Sequence, residues 1–376
     1  MADSAFSRNL IVPGLMAICA LGAATGMAQQ PAAPKVVGAG HPVVIPVTAH
    51  DKKGALAEIQ KADLTVTEDG RPQVIQSLTR AGEQPLRLGL LFDTSKAMSG
   101  ALEAERKAGG SFVDQVLPAG GKNQAFLLHF DREVELLEDF TSSGDRLHRE
   151  LDSMSATRRE RDELAGPERT GDEENTVRHG HNGTQLYDAI FLASDELMKG
   201  KDGRKVLVLV SNGADRGSKD TLNAAMDAAD RANVVIYTIF LKGTEERENG
   251  GFGNGGDRRR TGGSWPGGGG GYPGGGGGYP GGGGGRREPE PRAANGADGK
   301  KVMQQIAART GGHAFEAKRP DDIGPIYSLI QQDLKAQYLL TYTPDKADEG
   351  GFHKVVVTAN NKDMSVSAPE GYFGKE

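Results

Sequence analysis

The period of apolar and polar positions changes twice along this chain. From residue 35 to about 84 short alternating runs recur: Val43-Val44-Ile45-Pro46-Val47, Leu64-Thr65-Val66-Thr67 and Val74-Ile75-Gln76-Ser77-Leu78. The turn signals Asp51-Lys52-Lys53-Gly54 and Glu68-Asp69-Gly70-Arg71 separate them. Alternation at period two predicts half-buried strands, and the Asp-Gly pair predicts a tight hairpin turn between two of them. From residue 86 the apolar runs lengthen and alternate with helical periodicity. The pattern predicts strands at 86–93, 124–130, 133–137, 205–211, 234–241 and 313–315, and helices at 101–117, 143–154, 184–199, 219–231, 300–310 and 321–334. Strands separated by helices need right-handed crossovers and give a mostly parallel sheet covered on both faces. Past residue 336 the strand pattern returns at 337–342, 353–358 and 364–368.

The expected fold is therefore α/β, a doubly wound and mostly parallel sheet flanked by N- and C-terminal β segments. Each β arm is too short to close a sandwich alone, so the two are expected to pair into a composite one. The expected domains are an N-terminal β domain at 29–85, an α/β domain at 86–335 and a C-terminal β segment at 336–376. Two insertions interrupt the α/β pattern. Residues 156–183 are dense in charge and poor in large apolar side chains, and 243–297 carry a glycine tract with Gly-Tyr-Pro repeats. Neither buries enough apolar surface to order itself, so both are expected to be flexible. The tract cradles no phosphate, because no strand feeds it and no Gly-Lys-Ser/Thr ends it.

The first residues change the expected compartment. Arg8, an apolar stretch from Leu10 to Leu21 and the small residues ending Gly26-Met27-Ala28 have the order of a secretory leader cleaved after Ala28. The apolar run is short and broken by Pro13-Gly14, which disfavours a membrane span. The single cysteine, Cys19, lies inside the leader, so a mature chain has no disulfide framework. A secreted or periplasmic protein without an integral span is expected. The net charge of −6 is mild and dispersed over 376 residues and leaves no footprint for nucleic acid.

Candidate chemistry gathers where the first long strand ends. Asp93-Thr94-Ser95 places a carboxylate and a hydroxyl at i and i+2 on the loop leaving a buried strand, at the edge where ligands of open α/β sheets collect. Three segments carry a family likeness: Leu-Gly-Leu-Leu-Phe-Asp-Thr-Ser-Lys-Ala-Met at 88–98, Asn-Gly-Thr-Gln-Leu-Tyr-Asp-Ala-Ile at 182–190 and Lys-Val-Leu-Val-Leu-Val-Ser-Asn-Gly-Ala-Asp at 205–215. With them the central region resembles a von Willebrand factor A domain. The flanks, Thr-Glu-Asp-Gly-Arg-Pro-Gln at 67–73, Gln-Tyr-Leu-Leu-Thr-Tyr at 337–342 and Gly-Tyr-Phe at 371–373, make the whole similar to the VWFA-related proteins of Acidobacteria.

The resemblance implies a metal-ion-dependent adhesion site built from an Asp-x-Ser-x-Ser loop, a threonine and a third-loop aspartate. Asp93, Ser95 and Thr184 match that pattern. Ala97 stands where the second serine would be, and Asn212 where the aspartate would be, with Asp215 as an auxiliary source of charge. Losing a ligand and an anion weakens Mg²⁺ or Mn²⁺ binding, since Mg²⁺ wants six oxygens and dehydrates reluctantly. The bland alternative is that these side chains hydrogen-bond loop backbone. Competing chemistry is thin. Ser95 has no glycine-flanked elbow, His129 sits at a strand end, and His179 and His181 lie in the charged insertion, where they and Asp172, Glu173 and Glu174 form a metal cluster only if that segment has fixed geometry. No enzyme is expected. The function implied is binding or adhesion to a protein ligand, the alternative being a metal-independent structural or assembly factor of the bacterial envelope.

Overall fold

The computed structural model describes residues 41–164, 184–243, 296–345 and 350–374. The predicted leader, nearly all of the glycine-rich insertion and the stretch carrying His179, His181 and Asn182 lie outside them. The chain begins with β1 (Val43–Asp51), β2 (Leu64–Glu68), β3 (Arg71–Gln73) and β4 (Ile75–Arg80). The hairpin joining β2 to β3 is the predicted one: Glu68 pairs with Arg71, and Asp69 and Gly70 both have positive φ, at 49° and 79°. That pair of dihedrals is the turn whose twist matches its strands.

The central domain then runs through β5 (Leu86–Asp93), α1 (Leu102–Val116), β6 (Gln124–Phe130), β7 (Val134–Thr141), α2 (Gly144–Leu164), α3 (Leu186–Phe191), β8 (Arg204–Ser211), α4 (Leu222–Ala232), β9 (Val234–Leu241), α5 (Gly296–Thr310), β10 (Ala314–Ala317) and α6 (Ile323–Ala336). Several elements exceed their predicted bounds, and α2 and α5 do so into the insertions expected to be flexible, with residues 156–164 and 296–297 helical. α2 continues to Leu164, beyond the expected 154, and β7 reaches Thr141 because it pairs antiparallel with β6 along the sheet edge. α3 widens into a π-turn over Leu192–Met198, where Lys199 N donates to Ser194 O.

The sheet order is β10-β9-β8-β5-β6-β7, with β7 antiparallel and the other strands parallel. Its two faces sort by alternation. Leu86, Leu88, Leu90 and Phe92 of β5, with Val206, Val208 and Val210 of β8, pack beneath α1, α2 and α6. Leu91, Leu207 and Leu209 pack on the opposite face with α3, α4 and α5. Both faces are covered, which is why the strands read as near-continuous apolar runs. Gly89 is required on the second face: a Cβ there would stand 2.3 Å from the Phe126 ring and 2.4 Å from Leu207.

After α6 come β11 (Tyr338–Tyr342), β12 (Gly351–Ala359), β13 (Met364–Ser367) and β14 (Gly371–Gly374). The two β arms interleave. One sheet has the order β13-β1-β11-β4 and the other β14-β12-β2-β3, so each mixes early and late strands. Ile45, Val47, Leu64, Val66, Tyr338, Leu340, Tyr342 and Val355 share one core between them. Across it Tyr342 Oη donates to Glu68 Oε2 at 2.6 Å, which satisfies a buried carboxylate. The composite sandwich seats on the α/β domain. Glu370 N donates to Arg309 O at 2.9 Å, and the Arg231 guanidinium lies 3.9 Å over the Phe373 ring.

Candidate functional site

In the sheet the strand order reverses between β5 and β8, and the carboxyl ends of these two strands carry Asp93 and Ser211. Ligands of open α/β sheets settle in the crevice at such a switch point. Asp93 is fully buried there. Its Oδ2 accepts from Ser211 Oγ at 2.7 Å and its Oδ1 from Ser95 N at 3.0 Å, and the Asn212 backbone N–H also points to it. Burial raises the Asp93 pKa, and the donors from Ser95, Ser211 and Asn212 offset only part of that. Among the described residues no lysine, arginine or histidine forms a salt bridge with it, and the largest influences on its pKa are burial and neutral donors.

Ser95 Oγ is close enough to the carboxylate to favour its charged form, yet it makes no hydrogen bond of sound geometry and is buried. The geometry describes an orphaned hydroxyl beside a buried anion. Thr184 is also buried. Its carbonyl accepts from Arg216 N at 3.0 Å, and the next residue, Gln185, donates its N–H to Asp131 O at 2.9 Å. The second loop is thereby pinned between the β6–β7 turn and the loop after β8.

The two departures from the family pattern meet in space. Ala97 Cβ and Asn212 Nδ2 each lie 3.0 Å from the point where a Cβ on Gly243 would stand. The Asn212 oxygen is engaged elsewhere, accepting from Ala214 N at 2.9 Å. Asp215 does not face the Asp93 carboxylate's donors but α3: its Oδ1 accepts from Tyr187 N at 3.1 Å and from Ser218 Oγ at 2.5 Å. With Ser218 Oγ, which also accepts from Tyr187 N at 3.1 Å, it satisfies an amide at a helix start. His129 is tied between Thr94 Oγ1 at 2.9 Å and Glu135 Oε2 at 2.8 Å.

Two residues at this site escape the sequence reading. Ser211 sits inside the third quoted motif, one position before Asn212, and its strand-end hydroxyl is the signal that was present. Glu105 is the more consequential. It occupies the inward stripe of α1 with Leu102, Gly109, Phe112 and Val116, is fully buried, and neither carboxylate oxygen has a hydrogen bond. Its pKa is raised well above the usual range, first by burial and then by the charge of Asp93. A charged residue at a core position of an amphipathic helix was the available clue.

The donor set suits a hard dication such as Mg²⁺ or Mn²⁺ only at reduced strength. Asp93 and the orphaned Ser95 hydroxyl are the oxygens such an ion would use, with Thr184. Ala97 offers none, and the Asn212 oxygen is held by backbone.

No protein-family model matches the chain, and no curated protein matches it in sequence. Solved structures offer distant likenesses. Proximal thread matrix protein 1 from the mussel byssus is 10% identical, with a TM-score of 0.40 over 69% of this chain and 50% of that one, so the chain spans about half the mussel protein. One structure of that protein is described as having a zinc-occupied MIDAS motif. The conserved hypothetical protein BatB from Bacteroides thetaiotaomicron is 14% identical, with a TM-score of 0.38 over 66% of this chain and 99% of that one. An aerotolerance-related membrane protein from Bacteroides fragilis is 14% identical, with a TM-score of 0.39 over 66% and 98%. At these levels the likenesses add nothing to the fold read from the sheet order.

Proposed function

We propose that this chain is a secreted or periplasmic protein-binding module of the von Willebrand factor A type, and not an enzyme, which presents the carboxyl edge of its α/β sheet to a protein ligand. The observation that supports it is the buried Asp93 carboxylate, without a salt bridge among the described residues, beside the Ser95 hydroxyl that lacks a hydrogen bond of sound geometry, at the topological switch point. Mg²⁺ or Mn²⁺ held by Asp93, Ser95 and Thr184 would supply the positive charge that an acidic side chain of the ligand completes. Ala97 and Asn212 lower the affinity for the ion rather than reshape the loops, because Asn212 keeps its loop folded through Ala214 N.

A second reading has its own observation. Asp93 already accepts from Ser211 Oγ and Ser95 N, so the loops hold together without an ion, as a metal-independent structural or assembly factor of the envelope requires. Thermal unfolding of the mature chain in Mg²⁺ or Mn²⁺ against EDTA separates the two, run beside the double substitution Ala97→Ser and Asn212→Asp. A ligand that binds only the folded state raises the melting temperature by mass action. A Mg²⁺-dependent rise in the unaltered chain supports the cation-bridged reading. A rise confined to the substituted chain transfers the case to the metal-independent one. Mass measurement of the exported protein tests the compartment, with cleavage after Ala28 as the expected result.

A further inference from the structure

Far from the switch point, a second set of ligand-type side chains converges where the composite sandwich seats on the α/β domain. His50 comes from β1, His313 from the segment between α5 and β10, and Asp333 from α6. His50 Nε2 lies 3.0 Å from Asp333 Oδ1, and His313 Nδ1 lies 2.6 Å from Asp333 Oδ2. One ligand atom from each residue falls within 4.8 Å of the others. The two rings meet edge to face with centroids 4.6 Å apart. We propose that His50, His313 and Asp333 form a binding site for a divalent transition metal of the zinc class, bridging the sandwich and the α/β domain.

Two imidazoles and one carboxylate are a borderline-soft donor set that suits zinc and not magnesium. Three protein ligands leave a fourth position to water, and the His313 side chain keeps about a quarter of its surface exposed, at 27%, while Asp333 keeps 6%. Tetrahedral bonds of about 2.0 Å place ligand atoms somewhat more than 3 Å apart, so an ion needs the 3.0 Å contact of His50 to open slightly and the 2.6 Å contact of His313 to open by roughly half an ångström or more, with one Asp333 oxygen turned to it. The ring nitrogen of a metal-bound histidine that faces away from the ion is normally held by a hydrogen-bond partner. Ser367 Oγ lies 2.6 Å from His313 Nε2 and fills that role. A hydroxyl both donates and accepts, so it serves His313 when Nδ1 carries the proton and faces Asp333, and equally when the proton moves to Nε2 and frees Nδ1 for metal.

Ser367, His313 and Asp333 also stand in the order of a nucleophile, base and orienting group. Ser367, however, is held within β13 in register with Thr48 of β1 and not on a sharp turn, so its hydroxyl serves the histidine. The other grouping of this kind, Glu68, Asp69 and His353, has Glu68 already committed to Tyr342 Oη.

The test uses the full mature chain without an affinity tag, stripped by chelator and titrated with Zn²⁺ by calorimetry and with Co²⁺ by visible absorption. The expected result is one equivalent of either ion, unmoved by excess Mg²⁺, and retained in a His179→Gln/His181→Gln chain. Affinity falls by tenfold or more in His50→Gln or His313→Gln, and by about ten- to hundredfold in Ser367→Ala. Absence of binding overturns the proposal, as does binding that survives in the His50→Gln/His313→Gln double variant. If a substitution unfolds the chain, imidazole ¹⁵N spectra of the unaltered protein decide: Zn²⁺ must shift His50 Nε2 and His313 Nδ1, and shifts confined to other histidines overturn the assignment. The rim reading is kept separate by testing its oxygens with Mg²⁺ alone on chelator-stripped protein, since Mn²⁺ and EDTA act at both places.

Discussion

Asp93 at the rim and Asp333 at the seam are both buried aspartates in hydrogen bonds, and their pKa values move in opposite directions. Around Asp93 burial prevails over neutral donors and the pKa rises. Around Asp333 burial also acts to raise it, but hydrogen bonds from His313 and His50, and their charge, prevail and the pKa falls. Neutral hydroxyl and amide donors only partly replace hydration, whereas groups able to carry positive charge replace it fully. The charged form is thus disfavoured at the rim carboxylate and favoured at the seam carboxylate. The seam sits where three distant stretches of chain join, so its satisfaction also fastens the sandwich to the α/β domain.

The strongest way to break this contrast is at the glycines that let backbones meet at each place. Gly213 at the rim has φ +71°, and a Cβ there would stand 2.2 Å from Gly299 O; Gly311 at the seam has φ +77°, and its Cβ would stand 2.4 Å from Pro369 N. Alanine at either should cost about 3 kcal/mol in urea unfolding, since dihedral strain adds to a backbone clash. Gly311→Ala should in addition raise amide exchange in β13, and Gly213→Ala should not.

Asp333→Asn comes next, at about 2 kcal/mol, because charge-assisted hydrogen bonds to both histidines are lost. Asp93→Asn should cost about half that. The pH dependence sharpens the pair. The lowered Asp333 pKa contributes stability that is present above the ordinary aspartate value of 3.8 and is lost as pH falls through the folded value. The raised Asp93 pKa has the opposite sign, its contribution being complete below 3.8 and lost as pH rises through the folded value. The deficit of Asp333→Asn against the parent should therefore grow as pH rises toward 3.8, whereas that of Asp93→Asn should shrink as pH rises above 3.8 through the folded value.

Asp215→Ala should cost about 1 kcal/mol through the amides at the start of α3. It should leave any Mg²⁺ response intact, because its carboxylate is turned to Tyr187 N. The smallest effect is expected from Glu105→Gln, since burial and the Asp93 charge favour the protonated glutamate, which glutamine resembles. The difference should grow with pH. The parent loses stability as pH rises from the ordinary value of 4.5 through the raised folded one, and the variant's curve should be flatter.

Most of the fold was legible because it rests on local periodicity. The boundaries of β6 and β9 fall where the apolar runs begin and end, and the Asp69-Gly70 turn follows from two residues that tolerate positive φ. α2 was read too short, because its continuation past residue 154 is charged and carries no apolar stripe. At the rim, Asp93, Ser95 and Thr184 could be named because the family spacing is local to each loop, while Glu105 was missed because on a helix it reads as one more surface acid.

The sequence by itself determined the alternation of strands and helices, the pairing of the β arms as an expectation and the loops that form the rim, since each follows from neighbours a few residues apart. Only the tertiary structure decided how the carboxylates are answered. His50, His313 and Asp333 are separated by as many as 283 residues and share no pattern along the chain. Their meeting depends on β1 entering a sheet between β11 and β13, and thus on packing that no local spacing records.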